Sequence, residues 1–235
     1  MCRHLAYLGP ARSLGDLLLA PEHGLLTQSY APRRQRNGLM NADGWGVGFY
    51  AAARPDQPAR WRSSRPLWAD PSFASVAPVI SAGCVLAAVR SASAGMPGDE
   101  TAAAPFQSGR WLLSHNGTVD RALLGPHPAA ESVCDSAQLA AHLFDSILDS
   151  GPEQVGEFVA ALGHRDPAAR LNLLLTDGQR ILATRWNDTL SVLRTDDSVV
   201  VASEPYDDDP RWADVPDHHV VSATADAVTL SDLEN

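Results

Sequence analysis

No run of eighteen apolar residues occurs anywhere in the 235-residue chain, so no membrane-spanning helix is expected. The N-terminus lacks the basic segment and apolar core of a secretory signal, and a cytoplasmic location is expected. Basic charge is in short supply. Lys+Arg 18 against Asp+Glu 28 leave a formal net charge of -10, which repels a phosphate backbone and an anionic bilayer alike and makes nucleic acid and membrane unexpected partners. Cysteine is scarce as well. Cys2, Cys84 and Cys134 are odd in number and stand at no metal-ligand spacing, which argues against a disulfide framework and a zinc site. His218-His219 has no second cluster to complete a metal site and reads as strand-edge. No cofactor or metal is called for.

What remains is ordinary globular composition, 45% hydrophobic and 20% charged, with no internal repeat and no linker. Residues 1–235 read as one domain. Alternation and turn residues predict strands over Cys2–Leu8, Trp45–Tyr50, Arg60–Arg65, Val85–Arg90 and Arg110–Ser114. A second group follows at Leu171–Thr176, Ile181–Trp186, Leu190–Arg194, Val199–Ala202, His219–Ser222 and Ala227–Leu230, with turns at Asp177-Gly178, Asn187-Asp188 and Asp196-Asp197. Helical spacing predicts Ser13–Ala20, a short helix in Trp68–Ser81, Ser136–Ser150 with Leu139, Leu143 and Ile147 on one face, and Glu153–Leu162. Strands, two adjacent helices, then more strands imply two packed sheets with helices outside.

Several residues carry chemistry. If Met1 is trimmed, Cys2 supplies both a thiol nucleophile and an α-amine of pKa about 7.7 to 8.0 that takes its proton; otherwise it is a small apolar residue opening a strand. Asn116-Gly117 is either a hairpin turn or a pair of oxyanion donors, side-chain amide and backbone N–H. Arg90, before the small flexible loop Ser91–Ala104, either makes a salt bridge or grips a carboxylate with its fork. Asp135 either caps a helix, with Gln138 completing a capping box, or binds an ammonium group. Arg33, Arg34 and Arg36 in Tyr30–Met40 read as a solvated basic loop, and Asp207-Asp208-Asp209 as a solvated acidic one. The glycines of Asp43-Gly44-Trp45-Gly46 enter a strand, which excludes a dinucleotide fingerprint. Cys84 reads as core, and Cys134 carries no assignment.

Taken together and in order, Cys2, Asp43-Gly44-Trp45-Gly46, Val89-Arg90 with Ser93, His115-Asn116-Gly117, Asp135-Ser136 and Ala202-Ser203-Glu204-Pro205 resemble the class II glutamine amidotransferase family of N-terminal-nucleophile hydrolases. That resemblance spans nearly the whole chain. It implies an α+β fold, a four-layer αββα sandwich of two mainly antiparallel sheets. It also implies Cys2 as nucleophile with its amine as base, Asn116 and Gly117 as oxyanion hole, Arg90 and Ser93 on a γ-glutamyl α-carboxylate, and Asp135 on its ammonium. Ala88, Ser91 and Ser93 stand where the family often has histidine, a larger side chain and threonine.

Within the family, the opening Met1-Cys2-Arg3-His4-Leu5-Ala6-Tyr7-Leu8-Gly9 resembles the ergothioneine-pathway branch. That branch implies hydrolysis of γ-glutamyl-hercynylcysteine sulfoxide, a small-molecule substrate, through a thioester. Two other readings are a glutaminase subunit feeding ammonia to a separate synthase, and an inactive γ-glutamyl-binding scaffold. The oligomeric state stays open, a homodimer included.

Overall fold

The computed structural model describes residues 2–233. Its strands are β1 (Arg3–Ser13), β2 (Trp45–Phe49), β3 (Ala59–Ser63), β4 (Ser81–Val89), β5 (Phe106–Ser108), β6 (Trp111–Thr118), β7 (Arg170–Thr176), β8 (Ile181–Arg185), β9 (Ser191–Arg194), β10 (Val199–Ala202), β11 (Ala213–Asp214), β12 (His219–Ala223) and β13 (Val228–Asp232). The α-helices are α1 (Leu14–Leu18), α2 (Leu25–Tyr30), α3 (Pro71–Val76), α4 (Arg121–Leu124), α5 (Asp135–Ser150) and α6 (Gln154–Arg165). Among the described residues, no helix is long and apolar enough to cross a membrane.

The strands form a seven-stranded sheet in the order β11-β9-β10-β1-β4-β2-β3 and a six-stranded sheet in the order β13-β12-β8-β7-β6-β5. Every described strand pair is antiparallel. Because successive side chains of a strand point to opposite faces, each central strand feeds two apolar layers. Leu5 and Tyr7 of β1, with Val85 and Ala87 of β4, pack against Leu14, Leu17 and Leu25 beneath the short helices and against Phe73 of α3. Ala6 and Leu8, with Cys84 and Leu86, turn the other way and meet Leu112, Leu174 and Ala183 of the second sheet. That sheet's outer face, Leu113, Leu171, Leu173 and Leu175, is covered by Leu139, Leu143 and Ile147 of α5 and Val155 and Val159 of α6. The layers are therefore α, β, β, α, each fully buried Leu or Val worth about 1.5–3 kcal/mol of burial.

Helix termini follow local chemistry. Ser13 caps α1 by accepting from Asp16 N, and Asp70 caps α3 from Phe73 N with Pro71 at the first helical position. Gly151, at φ 93, ends α5 in the left-handed region that glycine tolerates.

Four details differ from sequence expectation. Strand β6 runs on through His115, Asn116 and Gly117, which pair with Leu173, Asn172 and Leu171, so Asn116-Gly117 is not a hairpin turn. Cys134, not Asp135, is the N-cap of α5, and Asp135 is its first helical residue. The helix expected in Trp68–Ser81 contracts to Pro71–Val76, preceded by a 3-10 turn over Leu67–Ala69. His219 begins β12, whereas His218 sits outside it at φ 54 and stacks on Trp186 with ring centroids 4.0 Å apart.

Candidate active site

The register of β1 and β4 places Arg3 opposite Val89, so Cys2 and Arg90 emerge side by side from neighbouring strand ends. The far end of β6 and the start of α5 meet them there. Cys2, Arg90, Ser93, Gly117 and Asp135 line one cleft with about 510 Å³ of empty space, part of it open to solvent, and Met96, Phe106 and Cys134 supply apolar wall. Five of the six residues singled out in the sequence are thus brought together. Ala88 and Ser91, the positions of departure from the family, line the same cleft.

Cys2 is half-buried and its Sγ lies 4.0 Å from the Ser91 carbonyl oxygen. Burial pushes its thiol pKa upward, with the Arg90 charge acting in the opposite direction. Arg90 is 6% exposed. Its Nη1 donates to the Asp43 carbonyl at 3.3 Å, and backbone bonds Asp43 N to Arg90 O and Arg90 N to Gly44 O fix the strand end. No described carboxylate forms an ion pair with its guanidinium, so the salt-bridge reading of Arg90 does not hold. Asp135 is fixed by its own neighbourhood: Oδ1 accepts from Ser136 N at 2.9 Å and Oδ2 from Val119 N at 3.2 Å. The Arg90 guanidinium on one wall and the Asp135 carboxylate on another suit a zwitterion presented at both ends.

Asn116 is fully buried and is not among the cleft-lining residues. The strand alternation sends its side chain between the sheets, opposite to His115 and Gly117. There its Nδ2 lies 3.4 Å from both Asp188 Oδ2 and Ser203 Oγ. Ser203 also accepts from His4 N at 3.0 Å, and His4 Nδ1 is 3.1 Å from Ser114 Oγ. Burial, with Arg3 adding to it, holds His4 well below the usual imidazole pKa and so neutral. Asp188 in turn faces Arg3 Nη2 at 3.9 Å, both side chains being fully buried. This polar layer replaces the apolar filling between the sheets at the cleft end.

Sequence reasoning gives no role to Asp188, nor to Ser136 and Glu204, although the last two stand in motifs shared with the family. Asp188 reads as half of an Asn-Asp turn, and Asn187 does adopt φ 65 there; its burial against β1 is tertiary and leaves no local pattern. Cys134 was unassigned and is a buried wall of the cleft. The Met1 trimming expected from the sequence concerns a residue outside those described.

Residues 23–197 match the family described as glutamine amidotransferases class-II. The chain belongs to that family. Two relatives of this amidotransferase carry the name γ-glutamyl-hercynylcysteine sulfoxide hydrolase. The one from Mycobacterium tuberculosis is 57% identical over 234 residues, covering 100% of this chain and 97% of the relative. The one from Mycolicibacterium smegmatis is 57% identical over 236 residues, covering 99% and 100%. Among solved structures, a class-II domain protein from Silicibacter pomeroyi superposes with TM-score 0.69 at 22% identity, covering 99% of both chains. The glutamine PRPP amidotransferase of B. subtilis superposes with TM-score 0.72 at 14% identity, covering 99% of this chain and 49% of that one. At such identities these two likenesses speak for the fold alone, and they agree with the four-layer arrangement expected of the family.

Proposed function

We propose that this amidotransferase-family chain, acting as one domain, hydrolyses the γ-glutamyl amide bond of γ-glutamyl-hercynylcysteine sulfoxide in ergothioneine biosynthesis, releasing glutamate and hercynylcysteine sulfoxide. The observation that carries the reading is the gathering of Cys2, Arg90, Gly117 and Asp135 on one cleft in a chain 57% identical, end to end, to hydrolases of that name. The net charge of -10 favours a small-molecule substrate in the cytoplasm over nucleic acid or membrane.

Arg90, helped by the Ser93 hydroxyl, pairs with the α-carboxylate of the glutamyl head, and Asp135 accepts from its α-ammonium. Held at both ends, the head presents its γ-carbonyl to Cys2, a positioning effect that supplies several kcal/mol of the barrier. With Met1 removed, the Cys2 α-amine takes the thiol proton as Sγ bonds to the γ-carbon. The Gly117 N–H on the cleft stabilises the resulting oxyanion, joined by the Asn116 amide once it leaves its long 3.4 Å contacts with Asp188 and Ser203 and turns toward the cleft. The C–N bond then breaks, the leaving amine takes the proton, and water cleaves the thioester to free glutamate and the thiol. No metal or cofactor enters these steps.

The test is glutamate release from γ-glutamyl-hercynylcysteine sulfoxide and from free glutamine, by wild type and by Cys2→Ala. The expected result is turnover of the sulfoxide by wild type, preference for it over glutamine, and loss of at least a thousandfold in Cys2→Ala. A preference for glutamine together with copurification of a synthase would select the ammonia-delivering reading instead. Equal release by wild type and folded Cys2→Ala would leave only the inactive scaffold.

A further inference from the structure

The segment between α2 and β2 carries three arginines, and the structure treats them unequally. Glu204, 1% exposed at the end of β10, accepts from Arg33 N at 2.9 Å and Arg34 N at 2.7 Å, one bond on each carboxylate oxygen. The side chains of these two arginines are committed: Arg33 to Asp208 at 3.1 Å and Arg34 to Asp214 at 2.6 Å. Arg36 is exposed and forms no ion pair among the described residues.

Arg36 does not itself line the cleft, but the residues on either side of it touch chain neighbours of the cleft wall or the wall itself. One residue before it, Gln35 Oε1 accepts from Asn41 Nδ2 at 2.9 Å and lies 3.4 Å from Arg3 Nε, Arg3 being next to Cys2. Two residues after it, a Cβ built on Gly38 would stand 3.7 Å from Ser91 Oγ. Ser91 lines the cleft, and its carbonyl faces the Cys2 thiol. Arg36 is therefore carried on a short bridge, clamped by Glu204 at its start, that runs from the Arg3 side chain to Ser91 on the cleft wall. Arg90 and Asp135 belong to the cleft proper and account for the two charges of the glutamyl head, so this bridge is left to the group beyond the scissile bond.

We propose that Arg36 is a specificity-determining residue that pairs with the carboxylate on the leaving amine, adjacent to the scissile nitrogen. The inference rests on the proposed γ-glutamyl hydrolysis, in which the departing nitrogen is that of a cysteine and so bears a neighbouring carboxylate. Free glutamine has no such group, so the residue separates the two substrates by charge. An exposed guanidinium free to swing from this bridge toward the cleft suits the task because its fork matches a carboxylate bidentately.

The experiment compares kcat/KM for γ-glutamyl-hercynylcysteine sulfoxide with that for its analogue in which the cysteine carboxylate is a carboxamide. Wild type is expected to favour the acid on the order of tenfold, the scale of one charge-assisted hydrogen bond. Arg36→Ala should bring that ratio close to one, and Arg36→Lys should retain part of it. Arg33→Ala, which removes a neighbouring charge paired elsewhere, should leave the ratio where it was. An unchanged ratio in Arg36→Ala, a wild type indifferent to the carboxylate, or an equal fall in Arg33→Ala would each overturn the assignment to Arg36. If wild type does not hydrolyse the acid at all, the functional reading fails first.

Discussion

The imidazole of His115 donates its Nε2 proton to the carbonyl of Arg170, 2.8 Å away. A carbonyl only accepts, so this bond fixes the tautomer and leaves Nδ1 as an acceptor. Ser136 Oγ, 2.9 Å from Nδ1, therefore spends its proton on the ring, and its lone pairs can only accept. Ser136 lines the cleft beside Asp135, where an ammonium is expected. Ser136→Ala should raise KM for γ-glutamyl amides about three- to tenfold, with a smaller effect on the glutaryl analogue that lacks the ammonium. Steady-state kinetics on the two substrates checks this, and equal effects on both would count against it.

Gly117 admits no side chain. A Cβ there would lie 1.8 Å from Arg170 O and 2.6 Å from His115 Nε2, and the first of these is backbone held in the β6–β7 ladder. Gly117→Ala should destabilise by about 3 kcal/mol or more, since either the strand pairing or the His115 bond must give way. Urea unfolding of variant and wild type measures it.

Asn116, the proposed oxyanion donor, and Asp188, which faces Arg3, should separate catalysis from architecture. Asn116→Ala is expected to lower kcat a hundred- to a thousandfold, about 2.7–4 kcal/mol, with KM little changed, as for removal of one oxyanion donor. Asp188→Ala leaves Arg3 buried without its counter-charge and should cost about 3–5 kcal/mol of stability. Kinetics on the first and denaturant titration of the second distinguish the two roles.

How much of this was legible in the sequence depends on whether the cause is local. The central strands β1, β4, β7 and β10 announce themselves as near-continuous apolar runs, because both faces of each are buried. The short α2, β5 and β11 leave little pattern and escaped notice. Asn116-Gly117 fits both a turn and a strand end in sequence, and only the pairing of β7 across it decides. Asp135 looked like an N-cap because its type fits one, yet its carboxylate is drawn to Val119 N across the loop after β6. Arg90, Asp135 and Cys2 were found through the family pattern. Asp188 lies outside that pattern and Ser136 carries no role in it, because each acts through a partner distant in sequence, Arg3 in one case and the His115 tautomer in the other.

Acid should weaken the fold before any carboxylate titrates. His4 and His115 are buried neutral, both held below the usual imidazole pKa of 6.5 chiefly by burial. Below about pH 6.5 the unfolded chain binds a proton at each that the folded chain refuses, so stability falls as pH drops toward the folded values. Each histidine contributes a slope of at most about 1.4 kcal/mol per pH unit across that window. Urea titrations between pH 7.5 and 5 should show the decline, and His4→Gln should flatten it.

Strand β1 is hydrogen-bonded on one side to β4 and on the other to β10, with Leu5 opposite both Ala87 and Ala202. These two neighbours lie far apart in the chain, β4 ending at Val89 and β10 beginning only at Val199, so the second pairing is a closure of high contact order. The placing of Cys2, at the head of that strand, therefore depends on a long-range pairing as well as on the nearer one, and loosening β10 should disturb the thiol along with the sheet.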